Sequence, residues 1–189
     1  MFVGWSDHFV HEIDHPLVGF MGGGALNGNI VVAPIDVFQQ AFIVIGQAGQ
    51  PIFEVDGKVL SLHDRLIVRD LAGNEVVNVH RRLMTLRPTY EITRGGETMA
   101  TFRKHFFSPF VDRFTVDIPG PDDLEMAGSL FEHEYTISRA GQVVAVVSKR
   151  WFSLTETYGV DIASGQDDLL ILACVLALDL AEDRERLHD

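Results

Sequence analysis

Five glycines divide most of the chain at nearly regular intervals. They are Gly49, Gly73, Gly96, Gly120 and Gly141. The spacings between successive members are 24, 23, 24 and 21 residues by subtraction of their numbers. After most of these glycines, an alternating run leads to one or two basic residues, then to an apolar segment with Ser or Thr, and then to a second alternating run. A period of this kind predicts one two-stranded unit that is copied several times along the chain.

Short alternating apolar and polar segments, separated by glycine and proline turns, continue from Ile30 to Ile162 and predict about a dozen β-strands. Alternation suits an antiparallel sheet with one buried and one solvated face. So many strands rarely remain in an open twisted sheet, because closure removes the exposed edges. The sequence therefore predicts a mainly β fold whose strands close on themselves.

The C-terminal part changes period. Residues 169–178 are all apolar, and the segment is bounded by a capping-box pattern at 164–167 and by Asp179. A helix that is apolar on every face must be surrounded by lipid or by protein, and about ten apolar residues are too few for the roughly 20 that a bilayer requires. We therefore expect a closed antiparallel β-barrel of about twelve strands around a central hydrophobic helix at 164–181. The predicted barrel domain spans 30–181, between an extension at 1–29 and a charged tail at 182–189.

Composition narrows the range of functions. The chain has 189 residues and a formal net charge of −12, which disfavours nucleic acid as a partner and unspecific adsorption to anionic membranes, because both need a positive field. Local basic patches can still exist on an acidic protein. The single Cys174 lies in the apolar run and is predicted to be a core residue. Nothing near Met1 looks like a signal peptide, and no cofactor motif stands out, so a cytoplasmic protein without a cofactor is expected.

Several segments resemble the LURP-one-related family. They are residues 149–153 (KRWFS), 158–162 (YGVDI), 167–168 with the apolar run, 53–57 (FEVDG), 61–66 (SLHDRL) and 70–74 (DLAGN). The resemblance implies the tubby-like fold that tubby C-terminal domains and phospholipid scramblases share, a twelve-stranded barrel around a hydrophobic helix. It implies no catalytic residues. It also implies contact with membrane lipids or phosphoinositides, and a structural or signalling role.

Basic residues recur at a similar position of the repeated unit, mostly eight or nine residues after its glycine. They are Lys58, Arg81, Arg82, Arg103, Lys104, Lys149 and Arg150. If the units are equivalent, these groups form a positive rim that could hold an anionic phospholipid headgroup through charge-assisted hydrogen bonds. The alternative is that they pair with some of the 27 acidic residues or keep strand edges soluble. Both interpretations stay open from the sequence.

One string resembles a catalytic motif. His11, Glu12 and His15 fit the His-Glu-x-x-His pattern, in which two histidines bind zinc and the glutamate activates water. Pro16 follows directly and biases His15 away from helical geometry. The main expectation is therefore a non-enzymatic binding or scaffold protein without a metal or catalytic residues. A metal-dependent hydrolase that uses His11 and His15 as ligands is one alternative, and an adaptor that docks through residues 1–29 is another.

Overall fold

The computed structural model describes residues 26–36, 41–46, 49–58, 65–105, 111–120, 122–129, 134–152 and 155–186. Within these ranges the protein is mainly β, with one C-terminal helix, as the sequence predicts. The strands are β1 (Leu26–Asp36), β2 (Ala41–Ile45), β3 (Pro51–Lys58), β4 (Arg65–Asp70), β5 (Glu75–Arg81), β6 (Thr89–Arg94), β7 (Glu97–Lys104), β8 (Asp112–Asp117), β9 (Leu124–Ser129), β10 (Glu134–Arg139), β11 (Gln142–Phe152) and β12 (Thr155–Ala163). The helix is α1 (Asp168–Arg186).

The strands pair in sequence order, and every pairing is antiparallel. β1 is hydrogen-bonded to β12 on one side and to β2 on the other, so each of the twelve strands has two neighbours. β1 begins at Leu26, four residues before the predicted start of the domain. The reason is that β12 continues to Ala163, which pairs with Leu26 and gives residues 26–29 a partner strand.

The five repeat glycines lie in the turns at one end of this sheet, which we call the entry end because α1 begins there. All five have a positive φ, between 79° and 139°. This left-handed region is accessible to glycine at little cost and is strained for residues with a Cβ atom. Hence the period seen in the sequence marks one tight turn for each pair of strands. The opposite end of the sheet, where α1 finishes, is called the exit end.

The helix α1 is enclosed by the strands. From Leu170 to Glu182 every residue is buried, and the apolar members belong to one core cluster with the inward residues of the strands. α1 approaches β5 and β7 on one side of the ring of pairings and β12 on the opposite side. The apolar run therefore packs inside the protein, and no helix formed by the described residues is long and apolar enough to cross a membrane.

The helix begins later and ends later than predicted. Residues 164–167 form a turn, in which Gly165 has a φ of 82°, and the N-cap is Asp167 rather than Ser164. Asp167 Oδ1 accepts hydrogen bonds from the backbone N–H groups of Leu169 (3.1 Å) and Leu170 (3.2 Å). It also accepts one from Arg94 at 2.9 Å, which ties the start of α1 to the turn between β6 and β7. At the other end α1 continues to Arg186, into the predicted charged tail.

Burial alone would raise the pKa of Asp167, but the hydrogen bonds from Arg94 and from the Leu170 and Leu169 amides outweigh it, and the pKa lies below its ordinary value of 3.8. The folded state thus favours the ionised carboxylate. Its stabilisation is complete above the unfolded-state pKa and disappears as the pH falls through the lower folded-state pKa.

We expect Asp167→Ala to lower the free energy of unfolding at neutral pH by about 1 kcal/mol, the usual cost of losing an N-cap. The deficit relative to the native protein should shrink as the pH falls from about 4, the ordinary pKa of the unfolded carboxyl group, through the lower pKa of the folded state. Urea unfolding at a series of pH values measures both effects. Asp167→Asn is the matched control, because it keeps a capping acceptor and removes the titration. A deficit of Asp167→Ala that does not change with pH would contradict the role given to the charge.

Candidate functional site

The basic residues predicted from the repeat collect at one end of the sheet. Strand direction and register place Lys58 at the end of β3, Arg81 at the end of β5, and Arg103 beside Thr89 at the β6–β7 pairing. Lys149 and Arg150 lie in the last part of β11. All seven predicted residues are therefore in the exit half of the sheet, as the structural equivalence of the repeated units requires. The side chains of Lys58, Lys149 and Arg150 are outside the described part of the structure.

Of the four predicted basic residues whose side chains are described, three have acidic neighbours. Arg103 Nη1 lies 2.6 Å from Asp117 Oδ2, and Lys104 Nζ lies 3.0 Å from Asp112 Oδ1. Arg82 Nε is 3.9 Å from Glu91 Oε2, near the limit for an ion pair, and Glu91 also faces His80 at 3.5 Å. Part of the basic set therefore pairs with acidic residues of the protein itself, which is the alternative that the sequence left open.

These pairs differ in how firmly they hold the cation. Lys104 is mostly buried, and its ammonium also lies 5.6 Å from the centroid of the Phe114 ring, a cation–π geometry. A structural role for Lys104 follows. Arg103 and Arg82 keep about half of their side chains exposed (49% and 53%), and exposed ion pairs contribute only about 0–1 kcal/mol. An external phosphate can compete for these two guanidinium groups.

Arg81 is half-buried at the end of β5, beside Tyr90 of β6. Among the described residues its Nε has no hydrogen-bond partner, although this atom is shielded from solvent. Val77 and Val79 of the same strand are fully buried, and strand alternation puts Arg81 on their inward side. Arg81 therefore lies at the rim of the core rather than on the outer face.

Among the described residues of the exit end, the loop that joins β5 to β6, residues 82–88, carries the exposed large apolar side chains, and sequence reasoning missed it. Leu83, Met84 and Leu86 are 45%, 104% and 96% exposed. Arg82 and Arg87, also exposed, stand on either side of them. The sequence analysis took residues 83–86 as the short apolar segment with Thr that separates two alternating runs, and it did not expect this segment to project. The signal that could have revealed a projecting loop is an apolar stretch bounded by arginines, with Pro88 following and no alternation.

The 82–88 loop is a defined turn. Thr85 Oγ1 lies within hydrogen-bond distance of the carbonyl oxygens of Arg87 (2.7 Å) and Arg82 (3.3 Å), and it donates to this pair of acceptors. The Arg82 N–H donates to Thr89 O at 2.9 Å and closes the base. Met84 has a φ of 59°, in the left-handed region that residues with side chains rarely adopt. The apolar side chains are thus held outwards by local hydrogen bonds.

Two carboxylates are buried at the exit end of α1, although the sequence analysis placed them at its charged boundary and in its tail. Asp179 and Glu182 are each 4% exposed. Tyr158 donates its hydroxyl proton to Asp179 Oδ1 at 2.7 Å, and Tyr135 donates to Glu182 Oε1 at 2.9 Å. These bonds connect β12 and β10 to the helix, which satisfies carboxylates that would otherwise be costly to bury.

Little among the described residues supports a catalytic role. No group of three or more His, Cys, Asp or Glu side chains among them is arranged to hold a metal ion. Burial raises the pKa of Cys174 to about 12, so its thiol is neither ionised nor accessible as a nucleophile. The candidate ligands His11 and His15, with Glu12, lie outside the described residues, as do residues 1–25 of the segment 1–29 that would serve an adaptor, whereas residues 26–29 begin β1. Both alternatives remain hypotheses.

Comparisons with known proteins agree on a family. The sequence matches the LURP-one-related family over residues 33–179. It is 32% identical over 145 residues to the uncharacterised protein YxjI of Bacillus subtilis, a match covering 76% of this chain and 86% of YxjI. It is 30% identical over 57 residues to protein LURP1 of Arabidopsis thaliana, covering 30% of this chain and 28% of LURP1.

An X-ray structure of another Arabidopsis thaliana protein has a similar fold. The TM-score is 0.60 at 18% sequence identity, and the superposition covers 85% of this chain and 99% of the other. Identity at this level supports the fold and no shared activity. The match over 33–179 includes all of β2 to β12 and the buried part of α1 up to Asp179. By its sequence, therefore, this chain belongs to the LURP-one-related family.

Proposed function

We propose that this protein is a non-enzymatic binding module with a tubby-like barrel, which attaches to anionic phospholipid headgroups through the exit end of its sheet. The circuit of twelve paired strands around α1 supports the barrel. One observation carries the function: the basic residues of successive repeats collect at a single end of a chain whose net charge is −12. A cluster of basic residues at one end of an acidic protein favours an anionic partner that approaches from that side.

The candidate headgroup ligands are Arg82, Arg87 and Arg103. Thr89 of β6 pairs with Arg103 of β7, and its carbonyl oxygen accepts a hydrogen bond from the Arg82 backbone N–H. Arg82 and Arg103 are therefore about two strand spacings, or roughly 10 Å, apart. Guanidinium groups recognise phosphate oxygens with paired hydrogen bonds. Lys104 is excluded from this set by its contacts with Asp112 and Phe114. Lys58, Lys149 and Arg150 remain candidates by strand position.

A membrane surface suits this group of arginines better than a soluble phosphate does. The arginines lie at the exit end of the sheet, and each would contribute about 1 kcal/mol of attraction near an anionic leaflet. Binding of this kind weakens with salt, because the Debye length falls to about 8 Å at physiological ionic strength. We therefore expect adsorption that depends on anionic lipid and declines as salt is added.

Vesicle sedimentation tests the proposal. The full chain should pellet with phosphatidylcholine vesicles that contain about a third phosphatidylserine, and should remain in the supernatant with phosphatidylcholine alone. Arg82→Glu combined with Arg87→Glu should lower the vesicle affinity at least about a hundredfold, because each reversal replaces an attraction by a repulsion.

Arg69→Glu combined with Arg139→Glu is the matched control. It changes the net charge by the same amount, but Arg69 and Arg139 lie in the entry half of the sheet, near the ends of β4 and β10. Its binding should be close to that of the native chain. Equal losses in the two double variants would mean that overall charge, rather than the exit end, governs adsorption. Native protein that never pellets with anionic vesicles would refute the proposal.

A further inference from the structure

The apolar tip of the 82–88 loop, formed by Leu83, Met84 and Leu86, lies beside the proposed headgroup ligands. Headgroup binding by the arginines gives these apolar side chains no role. Met84 and Leu86 are almost fully exposed, and Leu83 is about half exposed. The other large apolar side chains that the described part of the chain exposes, Leu71 and Val143, are single residues at the entry end. Isolated exposed apolar residues are ordinary, but a cluster of three on one short loop indicates a surface that is covered when the protein functions.

The loop conformation presents these side chains rather than hiding them. Met84 occupies a left-handed backbone conformation, which is unfavourable for a residue with a side chain, and Thr85 secures the turn by its contacts with the Arg82 and Arg87 carbonyls. Backbone strain of this kind persists where the surroundings enforce it and is concentrated at functional sites. A glycine at position 84 would relieve the strain, yet the chain has a long apolar side chain there.

Charge indicates what covers the tip. Residues 81–87 contain three arginines and no acidic residue, in a chain with 27 acidic and 15 basic residues. The arrangement is layered, with apolar side chains outermost and arginines at the base of the loop. A bilayer surface has the complementary layers, anionic headgroups outside and acyl chains beneath them.

We propose that the 82–88 loop inserts Met84 and Leu86 into the acyl boundary of an anionic bilayer while Arg82 and Arg87 remain among the headgroup phosphates. This inference rests on the proposed function. It adds that part of the loop enters the acyl region of the bilayer. The partner is a lipid surface rather than a soluble phosphate, since a free phosphate offers nothing to the apolar tip. Arginines near the interface keep their charged heads in the polar layer while their stems contact apolar groups.

Site-specific fluorescence tests the insertion. In the full-length Met84→Cys variant, an environment-sensitive NBD label can be placed at the loop selectively, because native Cys174 is buried and its pKa is raised to about 12. With vesicles containing about a third phosphatidylserine, we expect a blue shift and an intensity gain of at least about twofold, as the label leaves water. Val143→Cys, labelled in the same way at the entry end, is the matched control and should not respond.

Affinity provides a second measurement. Met84→Ser combined with Leu86→Ser should weaken vesicle binding at least about tenfold, since two apolar side chains no longer leave water. The melting temperature should be unchanged, because both side chains are exposed in the folded protein. Leu71→Ser, which removes an exposed leucine from the entry end, should leave binding as it is.

The outcomes separate the two proposals. If the native chain pellets with anionic vesicles but the label at position 84 does not respond, insertion is refuted and headgroup binding stands. If nothing pellets, both proposals fall. If the apolar tip instead mediates self-association, the Met84→Ser and Leu86→Ser variant will elute later than the native chain in size exclusion, with no change in vesicle binding, and insertion is again refuted.

Discussion

Replacing Leu172 with aspartate should prevent the protein from folding. Leu172 is 1% exposed, on a helix whose residues are buried on every face from Leu170 to Glu182. A carboxylate at this position would lose its hydration without a designed partner, at a cost of several kcal/mol or more. That cost is comparable with the roughly 5–15 kcal/mol that stabilises a typical domain. We expect insoluble protein on expression, or a soluble product without a cooperative thermal transition.

The comparison with Asp179 explains why aspartate is tolerated at one position of this helix and not at another. Asp179 accepts a hydrogen bond from Tyr158, whereas Leu172 belongs to the apolar core cluster. Leu172→Met is the control, since a swap of similar volume usually costs less than about 1.5 kcal/mol. Circular dichroism and a thermal melt compare the variants. A Leu172→Asp protein that is soluble and melts normally would show that α1 is not enclosed.

Gly128→Ala should strongly destabilise the sheet. Gly128 of β9 pairs with Tyr135 of β10. A Cβ at this position would overlap the carbonyl oxygen of Glu134 and the ring of Tyr135, whose Cγ would be only 2.6 Å away. The Glu134 oxygen is backbone and cannot rotate aside, so the two strands would have to separate. We expect a loss at or above the upper end of the overpacking range, about 3 kcal/mol, and a melting temperature lowered by roughly 6–12 °C.

Gly159→Ala is the matched control for this prediction. Gly159 also lies within a strand, β12, but its nearest non-neighbouring atom to an added Cβ is Ser148 O at 3.8 Å, an ordinary contact. Its melting temperature should therefore change little. Similar melting temperatures for the two variants would mean that β9 and β10 adjust around the extra methyl group, and that Tyr135 does not pack on a required glycine.

The strand arrangement and the enclosed helix were accessible from the sequence because local patterns determine them. A turn that requires a positive φ leaves a glycine in each repeat, as at Gly73 and Gly141. A helix buried on all sides cannot carry polar groups without partners, so residues 169–178 are uniformly apolar. The end of the helix was predicted less well. Asp179 and Glu182 look like a solvated tail until Tyr158 and Tyr135, from distant strands, are seen to donate to them.

The candidate site was predicted only in part for a related reason. The repeat places Arg82 and Arg103 at the same end of the sheet, and the register agrees with this placement. Ion pairs depend on which acidic residues the neighbouring strands bring close, so the pairing of Lys104 with Asp112 could not be read from the local sequence. The exposure of Met84 depends on the hydrogen bonds of Thr85 across the loop, which no alternation pattern records.

The enclosure of α1 also determines when the fold can be completed. The N-terminal strand β1 needs β12 as a neighbour, and the interior that all the strands share is filled by the segment that leaves the ribosome after both of them. A nascent chain that ends before residue 169 has inward-facing strands and nothing to pack between them. Hydrophobic surface must therefore stay exposed until α1 has been synthesised, and the emerging polypeptide is prone to aggregation up to that point.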